Sequence, residues 1–182
     1  MQLISRRLLL AAAGTLAVAA PARKPGAGEA EDYGRFVPTV PPKALPPVTF
    51  VAAGGETHRL AEFTGRGMVL NLWATWCAPC VAEMPALAAL AKALAPHDIA
   101  VLPLSSDRGG SPVVQKFFAS HDIAALPVLL DPEGAAASAL GVRGLPTTLI
   151  IDRSGRERAR VEGAADWGSP RVTAMVEALV AS

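Results

Sequence analysis

A chain of 182 residues, 51% of them hydrophobic, holds enough apolar side chains for one ordinary domain core with a leader attached, and it needs no staples to fold. Its 17 Lys and Arg against 16 Asp and Glu leave a formal net charge of +1, which excludes a bulk field drawing it to nucleic acid or to an anionic lipid surface. The two cysteines, Cys77 and Cys80, fall in one Cys-x-x-Cys, so disulfides joining distant segments are excluded as well.

Residues 1–20 read as an export signal: Ser5-Arg6-Arg7 opens it, an apolar run from Leu8 to Ala20 follows, and Ala17 and Ala19 suit cleavage. The run is shorter than the roughly 20 apolar residues a bilayer span needs and stops at Pro21, so membrane anchoring is expected only where the leader stays uncleaved. Ser-Arg-Arg-Leu-Leu-Leu is similar to a twin-arginine signal, with an ordinary secretory leader as an equal alternative. Residues 21–45 are rich in Pro, Gly, Ala and charge and are predicted to be a flexible arm. The alternative there is an ordered strap docked through Tyr33, Phe36 and Val37, since aromatic residues are unusual in a pure linker.

Residues 46–182 are predicted to be the folded domain. Val48 to Val51, a Gly54-Gly55 turn and Thr57 to Leu60 read as a hairpin, and Met68 to Trp73 as a buried strand. From Cys77 to about Leu94, apolar residues Met84, Leu87, Leu90, Ala91 and Leu94 recur at helical spacing. Ile99 to Leu104 reads as a second apolar strand, Ser111-Pro112 opens a helix through Phe118, and Val128 to Leu130 is a short strand. Ala135 to Leu140 is a short helix stopped by Gly141. Thr147 to Ile151, the Asp152-Arg153-Ser154-Gly155 turn and Glu157 to Val161 form a second hairpin, and a last helix spans about Ser169 to Val180. This alternation predicts the α/β class, with a mixed sheet covered on both faces.

Trp76-Cys77-Ala78-Pro79-Cys80 sits where the apolar strand gives way to the long helix, so Cys77 is placed at a helix N-terminus. Free N–H groups and the macrodipole there favour a thiolate, which makes Cys77 the attacking sulfur. Cys80, one turn further in and more shielded, resolves a mixed disulfide. Pro79 stiffens the ring at a position where no intrahelical N–H bond is due. Trp73 is read as packing, and Trp76 as a cover for the pair or a substrate contact. Zinc wants four ligands, and His58, His97 and His121 show no metal spacing with the cysteines, so no metal site is expected. Copper(I) accepts two thiolates, which keeps a copper-binding assembly factor as an alternative function.

The run from Asn71 to Cys80, followed by Glu83-Met84-Pro85, resembles the exported TlpA-like branch of the thioredoxin superfamily. The likeness continues through Gly141-Val142-Arg143-Gly144-Leu145-Pro146-Thr147-Thr148, similar to that family's proline loop. The resemblance implies a thioredoxin-like mixed β-sheet flanked by helices, with an N-terminal hairpin and a helix-strand insertion at Ser111 to Leu140. It implies a periplasmic protein disulfide reductase with no bound cofactor beyond the redox-active Cys77–Cys80 disulfide. It also implies a cis peptide before Pro146, whose loop holds a substrate strand, with Thr147 and Leu145 as contacts on a free backbone edge. Asn71 stands where many cytosolic thioredoxins carry a buried aspartate, and Glu83 matches a glutamate of the TlpA-like reductases, which makes it a candidate for handling the proton of Cys80. The expected partners are protein disulfide substrates and a membrane thiol transporter as electron donor, for a monomer acting in cytochrome c or copper-centre maturation. A redoxin-type thiol peroxidase is the third functional alternative, because such relatives share the opening hairpin.

Overall fold

The computed structural model describes residues 36–181, so the export signal expected at 1–20 and the first part of the arm, Tyr33 included, lie outside the described residues. In chain order the elements are β1 (Phe36–Ala44), β2 (Thr49–Ala52), β3 (Thr57–Arg59), β4 (Gly67–Trp73), α1 (Ala78–Leu94), β5 (Ile99–Ser105) and α2 (Ser111–Ser120). They continue with β6 (Leu129–Leu130), α3 (Ala135–Ala139), β7 (Thr147–Ile151), β8 (Arg156–Glu162) and α4 (Pro170–Ala181). The eight strands form one mixed sheet in the order β1-β8-β7-β4-β5-β6-β2-β3. Neighbours β4, β5 and β6 run parallel, and the other pairings are antiparallel. A parallel pair needs a crossover, and α1 supplies the one from β4 to β5.

All seven residues of β4 are buried, as a central strand covered on both faces requires. Its period of two splits the core. Val69 and Trp73 join α1, α2 and α4 through Leu87, Phe117, Phe118, Val172 and Val176. Met68, Leu70 and Leu72 face the other way, against Phe50, Leu60, Ala136 and Leu140. At Gly67 a Cβ would collide with Val180, so the end of α4 packs directly on the strand backbone. Gly141, at φ +66°, ends α3 in the left-handed conformation that glycine adopts without strain. The segment between β5 and β7 holds α2, β6 and α3, and β6 bridges β5 to the opening hairpin. The fold is thioredoxin-like, as the sequence leads one to expect.

The flexible-arm expectation for residues 21–45 fails for Phe36–Ala44. That segment is an edge strand antiparallel to β8, pairing Phe36 with Val161 and Ala44 with Arg156, and the sheet therefore begins ahead of Pro46. Three prolines are tolerated there because, among the described residues, the strand has a neighbour on one side only and its register shifts between Pro38 and Lys43. Phe36 is buried with its ring set edge-on to Trp167, centroids 5.6 Å apart, whereas Val37 on the opposite face is 59% exposed and does not dock. If β1 is part of the fold, Phe36→Ala lowers unfolding free energy by about 3 kcal/mol, while Val37→Ala stays within about 0.5 kcal/mol. Denaturant unfolding of the two variants checks this, and equal, negligible effects would return β1 to the status of an appendage.

Candidate active site

Three residues separate the end of β4 at Trp73 from Cys77, the N-cap of α1. Cys77 has extended backbone angles, φ −92° and ψ 101°, and its sulfur accepts the Cys80 N–H at 3.4 Å. Pro79 falls in the first turn, where its missing N–H costs no helical bond. The two sulfurs form a disulfide with Cα atoms 5.2 Å apart. Cys77 keeps 7% of its surface exposed and Cys80 none, so a thiol arriving from solvent meets Cys77.

The loop carrying the pair is fixed from below. Asp107 accepts the Thr75 N–H at 2.9 Å, the Thr75 hydroxyl at 2.7 Å and the Ser105 hydroxyl at 2.7 Å, tying the approach to Cys77 to the end of β5. The Ser106 N–H bonds the carbonyl of Trp73, and the Cys77 N–H that of Ala74. Trp73 is fully buried and stacked on Phe118, so its expected role in packing holds. Trp76, next to Cys77, is 70% exposed.

Glu83 is one helical turn past Cys80 on the buried face of α1, with 5% of its surface exposed. Oε1 accepts Asn71 Nδ2 at 3.0 Å, and Oε2 accepts the Trp167 indole N–H at 2.9 Å and the Ala165 N–H at 3.2 Å. Among the described residues these bonds join the carboxylate to neutral donors, and none goes to a cysteine sulfur. Burial pushes the carboxyl above its ordinary pKa, and the bonds from Trp167, Ala165 and Asn71 pull partly back. Asn71 also donates to Thr148 at 2.9 Å, across the β4–β7 register that sets the two opposite each other.

The proline loop comes to the same end of the sheet, because Thr147 pairs with Leu72 near the end of β4 and Pro146 precedes it. The Leu145–Pro146 peptide is cis, and a cavity of about 260 Å³ opens between Arg143–Thr147 and Glu162–Gly163. The free backbone edge expected at Thr147 is a correction. Thr147 sits in an interior strand with β4 on one side and β8 on the other, and its buried hydroxyl donates to the Gly144 carbonyl at 2.7 Å. The Pro146 carbonyl is likewise taken by the Gly163 N–H. Leu145, half-buried, packs against both cores, so its backbone is the part of the loop that precedes the paired strand.

Trp167 and Asp107 do not stand out from the sequence. A buried acid on an apolar helix stripe needs donors, and a buried tryptophan needs an acceptor for its N–H. Glu83 and Trp167 answer one another, but their pairing joins positions far apart in the chain.

Residues 41–159 match the AhpC/TSA family. The thiol-disulfide oxidoreductase ResA of Geobacillus thermodenitrificans is 33% identical over 111 residues, 60% of this chain and 62% of the relative, so the likeness spans under two thirds of that protein. The pneumococcal exposed lipoprotein thioredoxin Etrx1 of Streptococcus pneumoniae superposes with a TM-score of 0.62 at 26% identity, covering 73% of this chain and 99% of that one. A secreted thiol-disulfide isomerase from Corynebacterium glutamicum superposes with a TM-score of 0.67 over 81% of this chain and 92% of its own; at 22% identity it speaks to the fold alone.

Because burial raises the Glu83 pKa, the folded protein keeps that proton to higher pH than the unfolded chain, and stability falls as pH rises through the raised value. Asp152 acts with the opposite sign: burial raises it, but bonds from Ser154, Arg156 and Arg158 lower it further. The stability of the wild type relative to Glu83→Gln isolates the first effect and should decline with rising pH above the ordinary carboxylate range. Urea unfolding of both oxidised proteins across pH measures it, and a constant difference would mean that the Glu83 pKa is unperturbed.

Proposed function

The chain belongs to the AhpC/TSA family, and from that membership and the cysteine geometry we propose that it is a thiol-disulfide oxidoreductase working as a protein disulfide reductase. The observation that carries this reading is the unequal placement of the two sulfurs, Cys77 at the open start of α1 and Cys80 sealed one turn inside. In the reduced protein the Cys77 thiolate attacks a substrate disulfide. A Cys77–substrate S–S bond forms, the substrate bond breaks, and the departing sulfur takes up a proton. Cys80, on losing its proton, attacks Cys77, forms the internal disulfide and releases the second substrate sulfur as a thiol. Two electrons and two protons have then passed to the substrate.

Glu83 receives the Cys80 proton by way of water. Its position one turn beyond Cys80 and a carboxyl raised by burial support this, since a proton acceptor works best with a pKa closer to the working pH. Trp76 and the loop at Leu145 and Pro146 receive the substrate strand. No bound cofactor takes part in this scheme.

The protein acts after export to the periplasm, as a monomer, with the leader at 1–20 removed. The leader's pattern supports this, and a neighbour in structure at 26% identity is described as an exposed lipoprotein. A membrane thiol transporter returns the electrons, and the clients are disulfide-bearing proteins of cytochrome c or copper-centre assembly.

The pre-reduced protein should reduce insulin disulfides stoichiometrically, and Cys77→Ser should abolish this, whereas Cys80→Ser should stall as a mixed disulfide seen by mass. Equilibration with glutathione should give a potential near about −270 mV; a value near about −120 mV would reassign the protein as an oxidant.

A further inference from the structure

We propose that Trp167 is a positioning residue for the redox centre, holding Oε2 of Glu83 so that this acid presents its other oxygen, Oε1, as the one that carries the proton. The inference rests on the reading of Glu83 as the acceptor of the Cys80 proton.

Three bonds hold the carboxylate, and they are not equivalent. Oε2 takes two N–H groups, from the Trp167 indole and the Ala165 backbone, both in the loop between β8 and α4. Neither group can accept a proton, because an indole N–H and a peptide N–H are donors only. A proton on Oε2 would therefore displace at least one of these bonds inside a dry core, where an orphaned donor is costly. Oε1 faces Asn71 instead. That amide carries both a donor and an acceptor, and its Oδ1 is buried with no partner among the described residues. Turning the amide over lets Oδ1 accept from a protonated Oε1 and from the Thr148 hydroxyl, which can donate as well as accept, and moves Nδ2 to the place Oδ1 now holds; the Asn71 side can thus offer Oε1 an acceptor, which the Trp167 side cannot offer Oε2.

Trp167 is itself fixed. It is 1% exposed, and Phe36 of β1 sets its ring edge-on against the indole. The charged and titratable groups near Glu83 do not offer a rival. At the start of α1 these are Cys77, its N-cap, and Cys80; on α4, which packs against α1, Arg171 is exposed and Glu177 pairs with His97. From β4 and β7 the neutral Asn71 and Thr148 face it. In the 163–168 loop, Asp166 is exposed and accepts the Gly168 N–H.

The test compares pH profiles of single-turnover insulin reduction for the wild type, Trp167→Phe, Phe36→Leu and Glu83→Gln. Losing one N–H bond to a carboxylate should raise the midpoint of the Glu83-dependent step by about one to two units in Trp167→Phe. Phe36→Leu trims the packing and leaves the N–H in place, so it should keep the wild-type midpoint. An equal shift there would assign the effect to packing and overturn the proposal. A profile unchanged in Glu83→Gln would overturn the reading of Glu83 itself. A profile changed in Glu83→Gln but unshifted in Trp167→Phe would overturn the role of Trp167 alone. Should Trp167→Phe fail to fold, the indole N–H resonance in ¹⁵N-labelled wild-type protein decides. It should titrate with a midpoint above the ordinary carboxylate range and stop titrating in Glu83→Gln; an indole signal that ignores pH would overturn the proposal.

Discussion

Cys77 can serve as a helix cap only because the strand before it cannot move. Trp73 ends β4 wedged between Phe117 and Phe118 of α2. Asp107 then grips both the backbone and the hydroxyl of Thr75, two residues before the cap. From that fixed point α1 starts with its free N–H groups turned on Cys77, and its apolar face settles on the sheet through Met84, Leu87, Leu90 and Leu94. A looser junction would let the first turn of the helix fray, and the sulfur at its mouth would lose the field that favours its ionised form. The longest strand buried at every residue is the one that leads into the cysteines.

The elements legible in the sequence are those whose periodicity is local. β4 reads as a strand because it is apolar throughout, and α1 because its leucines recur at three and four. β1 is the opposite case. Its prolines and lysine argue for a linker, and what makes it a strand is an unpaired edge of β8 and a hole beside Trp167 that Phe36 fills. Both are supplied by residues more than a hundred positions away. The same limit explains Thr147: its place after the proline is visible in the sequence, but that β8 occupies its second side is a property of sheet order. Glu83 was legible as an acid near the motif, and its spacing from Cys80 and Leu87 already puts it on the buried stripe. Its partners were not legible, because a lone tryptophan in a loop carries no mark of what its N–H will meet.

The buried polar cluster under α1 joins three parts of the chain that share no sequence pattern: Asn71 on β4, Thr148 on β7 and the Ala165–Trp167 stretch before α4. Replacing such a cluster with apolar side chains would commonly cost little or even stabilise. A fold built for stability alone has no need to put a carboxylate where burial opposes its charge. A fold that must move a proton next to a sealed sulfur does need one, and it must also keep that acid from collapsing onto a cation that would fix it in one state. Neutral donors meet both demands.

The two sulfurs are thereby governed by different parts of the molecule. Cys77 answers to the end of the helix, a backbone field that any sequence folding into α1 would supply. Cys80 lies beyond reach of solvent, and in the proposed exchange its ionisation depends on side chains that the backbone does not dictate. Attack on substrate and release of product are then separately adjustable. The helix start is fixed by the fold, whereas the step that frees the substrate depends on how firmly the loop after β8 holds one carboxylate oxygen. Phe36 of β1 packs edge-on against the indole that makes the bond, whereas the bond itself is the N–H's. The segment that reads as a tether in the sequence thus packs, through Phe36, on the residue that holds the acid.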